Sequence, residues 1–427
     1  MKSIFTDLMS TTLPESKPPL FTSYEAFMIA ILAIIQFTII LDFMVLSPLG
    51  AILLPKLQIT TAQFGIVISA YAFSAGITGL LAGGFADRYD RKRFLLFFYT
   101  GFLLGTVLCA IATTYTFLLF ARIITGIFGG VISSVSFAII SDLFKVEVRG
   151  RVMGFVQMAF AASQILGLPI GLLLANKFDW HAPFWMIAIF GLGLGLLIMY
   201  KMQPVTEHLK IQMKSNAFQH LVNTLSKGFY QRAFLSTILL ATGGFMLMPF
   251  GSAFSINNLG ITMEQLPWIY GITGLFSILS GPVIGKLTDK VGQFKVFMVG
   301  TFIAITLVAI YTNLGITPLW VLIVINVILF MGISARMISS STLLSSIPVP
   351  QDRGAFMSIN ASVQQISGGV ASFIAGLIVI QSPNGKMGRY PLLGITVIAS
   401  MLIALALIYW LDQYLKQKQH RGHNAVS

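Results

Sequence analysis

The chain has 427 residues, of which 56% are hydrophobic and only 10% charged, and its mean hydropathy is +0.86. A soluble domain carries about 25% charge, so this composition excludes a water-soluble protein and places the chain in a membrane. The formal net charge of +13 would suit nucleic acid, but the basic residues are sorted by loop rather than gathered into a patch, so nucleic acid is not an expected partner.

Apolar stretches of about twenty residues, enough to cross ~30 Å of hydrocarbon, predict an all-α polytopic membrane protein. In the first half they cover 25–47, 61–84, 94–113, 115–141, 151–176 and 182–202, after an N-terminal tail over 1–24. No small-residue cleavage site precedes the first span, which is expected to be retained rather than removed as a signal peptide. A polar linker follows over 203–233, in which Phe218, Leu221, Val222, Leu225 and Phe229 recur at helical spacing. It reads either as an amphipathic helix on the membrane surface or as a simple connector. The second half brings spans at 234–256, 264–286, 295–313, 318–345, 354–380 and 390–412, then a tail over 413–427.

With the N-terminus inside, 21 of the 27 basic residues fall in internal segments and only Lys56, Lys177, Lys386 and Arg389 fall outside. Basic residues stay cytoplasmic, so both termini are expected there. Cys109 is the only cysteine, which rules out an internal disulfide framework or thiolate metal site. All five histidines lie in loops, linker or tail, so intramembrane haem or quinone chemistry is not expected, and neither metal nor other cofactor is implied.

Ionisable side chains inside a span cost at least ~2.5 to 3.5 kcal/mol each. Asp42, Arg122 and Arg336 are the three such residues. Asp42 in the outward-running first span and Arg122 in the inward-running fourth lie at equal depth, where each neutralises the other. Arg122, Gly126, Gly129, Ser133 and Ser136 step by 4, 3, 4 and 3, one small polar face expected to line a cavity, to supply a helix-packing groove at Gly126 and Gly129, or both. Gln157 and Gln164 on the fifth span and Asn360 and Gln364 on the eleventh can hydrogen-bond a substrate or tie helices together. Arg336 has no acid at its depth in the second half; it either meets an anionic substrate or reaches polar groups and water.

The two halves are related. The charged segment Gly83-Gly84-Phe85-Ala86-Asp87-Arg88-Tyr89-Asp90-Arg91-Lys92-Arg93 is echoed 202 residues later by Gly285-Lys286-Leu287-Thr288-Asp289-Lys290-Val291-Gly292. Arg149-Gly150 is matched by Arg353-Gly354 at an offset of 204. Parallel repeats imply two six-helix bundles, with substrate bound between them at mid-depth. The first copy keeps Arg91, Lys92 and Arg93 where the second has Gln293, Phe294 and Lys295, so the first is expected to hold more firmly.

These features resemble the major facilitator superfamily over essentially the whole chain. The first charged segment is similar to the family's loop motif Gly-x-Leu-Ala-Asp-Arg-x-Gly-Arg-Lys, with Gly83, Ala86, Asp87, Arg88, Arg91 and Lys92 matching and Phe85 and Asp90 departing. The family glycine at the position of Asp90 permits a positive φ, a conformation that aspartate tolerates better than most residues. The resemblance implies a conformational latch in which Asp87 faces the amino end of the eleventh helix and Arg91 pairs with Asp142. Gly83, Arg88, Arg149, Gly285, Asp289 and Arg353 complete the expected switch, whereas Arg93 is expected only to anchor the loop to headgroups.

The segment around Arg122 resembles the family's fourth-helix motif, whose arginine is associated with proton transfer. Gly167-Leu168-Pro169-Ile170-Gly171 is similar to the antiporter pattern Gly-Pro-x-x-Gly, with a leucine inserted, and marks a helix bend. Asp42 to Pro55 resembles the first helix of the drug:proton antiporter and sugar-efflux branch. Together they imply a monomeric, multi-pass carrier of the bacterial plasma (inner) membrane that exports small lipophilic or amphiphilic compounds against protons, with the proton gradient as its energy source. Phe43, Met44, Phe245, Met246, Met248 and Phe250 either line that cavity or face lipid. The alternatives are a proton-coupled uptake symporter for a small metabolite or organic anion anchored on Arg336, and a transport-dead membrane sensor. No Walker-type phosphate loop and no catalytic constellation appears, so neither an ATP-driven pump nor an enzyme is expected.

Overall fold

A computed structural model describes residues 21–85, 88–210, 217–349 and 352–424. Within them, 12 helices are long and apolar enough to span a membrane. In the first half these are α1 (Ser23–Val45), α2 (Thr61–Phe85), α3 (Arg91–Ala110), α4 (Tyr115–Leu143), α5 (Val146–Ala162 and Leu168–Lys177, joined by the π turn Ser163–Gly167) and α6 (Ala182–Lys201). In the second they are α7 (Gly228–Phe245), α8 (Leu266–Val291), α9 (Gln293–Tyr311), α10 (Leu319–Ser345), α11 (Arg353–Ile378) and α12 (Tyr390–Asn424). Short helices Gly50–Lys56 and Gly251–Asn257 extend the turns after α1 and α7. Among the described residues the only strands are an antiparallel pair, Ile380 opposite Gly388 and Gln381 opposite Met387, before α12.

Caps explain several boundaries. Thr22 and Glu25 form a reciprocal capping box at the start of α1, and Thr114 caps α4 through the Phe117 amide, each satisfying amides that the helix cannot. α3 begins three residues before the expected start at 94 because Asp90 caps it, accepting from the Lys92 amide. α8 runs on through Lys286, Asp289 and Lys290, so the second charged segment is a helix end rather than a loop. There a single residue, Gly292 at φ +99°, joins α8 to α9; no side chain with a Cβ adopts that angle cheaply. α12 continues to Asn424, well into the segment expected to be a tail.

An even number of spans puts both described chain ends on the face that carries the linker; the opposite face is called the far face. Toward the far face one apolar core contains residues from both halves, among them Leu46, Leu49 and Phe64 with Phe250, Phe254 and Tyr390. Toward the linker face the core divides. One part, built on Leu32, Phe102 and Ile139, belongs to α1–α6; the other, built on Phe234, Phe297 and Phe356, belongs to α7–α12. The molecule is thus two bundles sealed together at the far face.

Small residues make the seal. Ser69 Oγ donates to the Gly369 carbonyl at 2.7 Å and Thr61 Oγ1 to the Val379 carbonyl at 2.6 Å, stitching α2 to α11. A Cβ at Gly65 would stand 2.8 Å from the Ser372 carbonyl oxygen, so the backbones approach as small residues allow in membrane helices. Asn176 of α5 donates to the Met263 carbonyl before α8 at 2.8 Å.

The linker does not simply lie on the membrane surface. Its helix, Ala217–Leu225, places Leu221 in the second bundle's core and touches both α2 and α11. Behind it three donors meet Asp352: Lys227 Nζ, Tyr230 Oη at 2.8 Å and His220 Nε2 at 3.3 Å. The Lys227 ammonium, with Tyr230 and His220, holds the Asp352 carboxyl below the usual carboxylate range against its partial burial. A depressed acid contributes stability above its unfolded pKa and loses it as pH falls through the folded value. Asp352→Asn should therefore speed amide exchange over 217–225 by about tenfold at neutral pH, the scale of one lost charged hydrogen bond. From pH ~4 downward, through the lower folded value, wild type and variant should converge, as hydrogen–deuterium exchange corrected for intrinsic rates will show.

Candidate functional site

Asp42, one turn from the end of α1, and Arg122, two turns into α4, are both fully buried and in contact. Arg122 Nη1 lies 2.7 Å from Asp42 Oδ2 and also donates to the Asp42 carbonyl at 3.1 Å. Thr106 of α3 donates to Asp42 Oδ1 at 3.2 Å. The guanidinium carbon sits 4.4 Å from the centre of the Tyr71 ring of α2, a cation–π contact of the desolvated kind. Nη1 thus carries the hydrogen bonds of the guanidinium to Asp42. Four helices therefore converge on one ion pair from which water is excluded. Taking one charge away leaves the other uncompensated, at a cost of about 3–5 kcal/mol.

On α4 the glycines serve helix packing, the second of the two readings that the spacing allows. A Cβ at Gly126 would lie 2.5 Å from the Tyr71 carbonyl oxygen, and one at Gly130 2.2 Å from that of Ala75. Close approach of α2 and α4 is what brings the Tyr71 ring onto Arg122. Ser136 is buried and returns its hydroxyl to the Ile132 carbonyl, while Ser133 reaches Gln36 Oε1 at 3.4 Å.

The bend expected at Gly167, Pro169 and Gly171 takes a definite form. Pro169 has no amide hydrogen and its ring crowds the carbonyl four residues back; the helix widens there into the π turn Ser163–Gly167, closed by the Leu168 amide on the Ser163 carbonyl. Gly167 faces Leu41 and Gly171 faces Val45, the neighbours of Asp42 along α1. Ser163 Oγ also donates to the Phe37 carbonyl at 3.1 Å. On its other side the π turn meets the second bundle, where Gly274 of α8 accommodates Ile165. α5 therefore touches both the helix that carries the ion pair and the facing bundle.

The remaining candidates divide. Gln164 lies within the π turn and is half-buried, Gln157 is exposed on the linker-side half of α5, and Gln364 on α11 is half-buried. Asn360 is engaged inside its own bundle, accepting from Thr237 Oγ1 at 2.6 Å. Of the two alternatives for Arg336, the structure fits the second, contact with polar groups: 3% exposed, it turns into its own bundle against α9, 3.4 Å from Thr301 Oγ1 and 5.3 Å from the Phe297 ring centre. It does not face the seam between the bundles, so it is not placed to anchor an anion there. Depth can be counted from a sequence, but direction around the helix within the bundle cannot.

At the linker face, Arg91 Nε lies 2.8 Å from Asp142 Oδ2 at the end of α4. Arg149 donates to the Phe144 carbonyl at 2.8 Å and the Ser141 carbonyl at 2.5 Å, closing the carbonyl end of α4 where a cation is favoured. Gly83 lies in the last turn of α2 and Arg88 is exposed; Asp87 lies outside the described residues. In the second copy Gly285 is half-buried, and Asp289 and Arg353 are exposed with no ion pair among the described residues. Asp90 does not use the positive φ that a glycine would permit. Its φ is −56°, and its carboxylate accepts from the Lys92 and Val205 amides at 3.1 and 3.0 Å, while the Arg91 amide donates back to the Val205 carbonyl.

A family model described as Major Facilitator Superfamily matches residues 32–368 and 233–425. The uncharacterized MFS-type transporter YceJ of Bacillus subtilis (strain 168) is 28% identical over 268 residues, 62% of this chain and 68% of that one. Multidrug resistance protein 3 of the same organism is 36% identical over 149 residues, 35% of this chain and 29% of that protein. Among solved structures, a bacterial homologue of the human lysosomal transporter Spinster, in an inward-facing and occupied conformation, superposes with a TM-score of 0.72 at 15% identity, covering 92% of this chain and 98% of that one. At such identity the likeness is one of fold.

Two stability measurements test this geometry by denaturation in detergent. Arg122→Leu alone should cost about 3–5 kcal/mol, whereas Asp42→Asn combined with Arg122→Leu should cost less, because no charge is left unpaired. Asp90→Ala should cost about 1 kcal/mol as a lost helix cap, and Asp90→Gly only a few tenths.

Proposed function

The chain belongs to the major facilitator superfamily, and from that premise we propose that it is a secondary active exporter that exchanges small lipophilic or amphiphilic compounds for protons. The observation that carries this reading is the sealed Asp42–Arg122 pair, with both side chains fully buried and 2.7 Å apart. A static scaffold gains nothing from such a pair, since a well-packed apolar pair of similar volume is often as stable or more so. A carrier gains a site where one proton decides whether two charges attract.

The charge asymmetry of the loops makes the linker face cytoplasmic, so a seal at the far face is the inward-facing arm of an alternating cycle. In this arm Asp42 is ionised and held by Arg122 and Thr106. When the far face opens, α1 and α5 move together through the Leu41–Gly167 and Val45–Gly171 contacts, and Asp42 becomes reachable from outside. Protonation there releases Arg122 to the Tyr71 ring, and return to the inward arm delivers the proton to the cytoplasm. One proton crossing ~100 mV supplies ~2.3 kcal/mol, enough to bias the cycle without ATP.

Substrate chemistry follows from the roof of the seam. Phe43, next to Asp42, has its ring 5.9 Å from that of Phe245 of the facing bundle and 5.3 Å from Tyr71. Both phenylalanines are half-buried, as is Met248, whereas Met44, Met246 and Phe250 are absorbed into the shared core. An aromatic roof, with half-buried amides at Gln164 of α5 and Gln364 of α11, suits a flat, largely apolar compound with one or two polar groups. The resemblance to multidrug resistance proteins supports the same class.

Purified full-length chain in liposomes, with an imposed pH gradient and a panel of amphiphilic dyes and antibiotics, tests the proposal. Wild type should drive dye movement opposite to the proton gradient and dissipate that gradient when dye is present. Asp42→Asn should abolish both responses to the gradient. Gradient-driven transport at the wild-type rate in Asp42→Asn would sink the coupling assignment.

A further inference from the structure

On the linker side of the second bundle, away from the ion pair, the start of α7 and the end of α12 enclose a groove of about 550 Å³ lined by Gly228, Phe229, Gln231, Arg232, Leu235 and Tyr414. Its walls are built from aromatic contacts across the two helices. The Phe229 ring lies 4.3 Å from that of Tyr414, which lies 5.7 Å from Trp410. The Arg232 guanidinium is stacked 4.4 Å from the Trp410 ring centre. Stacking of this kind fixes a guanidinium without consuming its donors.

The nearby acids are already committed. Asp352 is taken by Lys227, Tyr230 and His220, and Asp412 by Lys416 at 2.6 Å. Arg232 has no acidic partner among the described residues. Further along the exposed side of α7, Leu235 and then Ile238 are exposed at 45% and 38%, as lipid-facing side chains are. Read along the helix, the face is a cation at the level of an aromatic girdle followed by apolar surface. That is the profile of one phospholipid: phosphate at the interface, glycerol against the rings, acyl chain along the helix.

We propose that this groove is a binding site for an anionic phospholipid, its phosphate held by Arg232 and its acyl chain laid along Leu235 and Ile238 of α7. The site binds the lipid where α7 leaves the linker, so its occupant fixes the membrane depth of the second bundle next to the Asp352 clasp. Both a free phosphate and a zwitterionic lipid lack half of what the face offers: the first has no acyl chain, the second carries a compensating cation.

Native mass spectrometry of the full-length protein released from mixed phosphatidylglycerol and phosphatidylcholine micelles tests this. Wild type should retain phosphatidylglycerol over phosphatidylcholine, and Arg232→Gln should reduce that retention by about fivefold, the effect of one basic residue at a charged membrane surface. Arg232→Lys should fall between them, because it keeps the charge and loses the planar stack. Lys201→Gln, an exposed linker-side charge on the first bundle, should leave retention unchanged. Equal retention by wild type and Arg232→Gln overturns the proposal. So does an equal loss in Lys201→Gln, or displacement of the lipid by inorganic phosphate at the same concentration.

Discussion

An aspartate and an arginine shut away from water in the middle of a helical bundle can persist only in each other's company. That constraint organises the first bundle. Arg122 reaches Asp42 because α4 and α2 pack at glycine distance, which also slides the Tyr71 ring under the guanidinium. Thr106 completes the carboxylate from a third helix. Remove the small residues and the helices move apart by more than a hydrogen bond can stretch. Packing and charge are one requirement here, not two.

The seal at the far face inherits the same geometry. Phe43 is the next residue to Asp42 and meets the facing bundle through Phe245, while α5 leans on α1 through Gly167 and on α8 through Ile165. A change in how α1 sits is therefore felt at the seam by two routes. The shared core above and the divided cores below describe a body whose halves are joined at one end and individually packed at the other, which is the form that rocking requires.

Much of this could be read from the amino-acid order, and the reasons for the rest are physical. The spans, the duplication and the Asp42–Arg122 pair were legible because hydrocarbon thickness and the cost of buried charge leave few options. Tyr71 and Thr106 were not, since uncharged residues in an apolar run carry no mark until a neighbour gives them work. The glycine steps of α4 were seen but left between a cavity and a packing groove; spacing shows that a face is small and not what fills it. Arg336 stayed open between two readings for a related reason, as depth is countable and azimuth is not. The π turn in α5 was not legible either, because an extra residue within a helix leaves no mark in its hydrophobicity. Asp90 was read through the glycine that the family carries there, and it turned out to be a cap.

That cap has a mechanical meaning. Asp90 and Arg91 hold the backbone of Val205, Lys92 Nζ holds the Met199 carbonyl at the end of α6, and Tyr24 Oη accepts from the Gln203 amide. The beginning, middle and exit of the first bundle are knotted at one spot. At the matching corner of the second bundle there is one glycine and no capping side chain. The two halves, alike in ancestry, are thus unlike as machine parts: the first is a braced frame from which the linker departs at a fixed anchorage, and the second carries the freer corner about which its helices can flex.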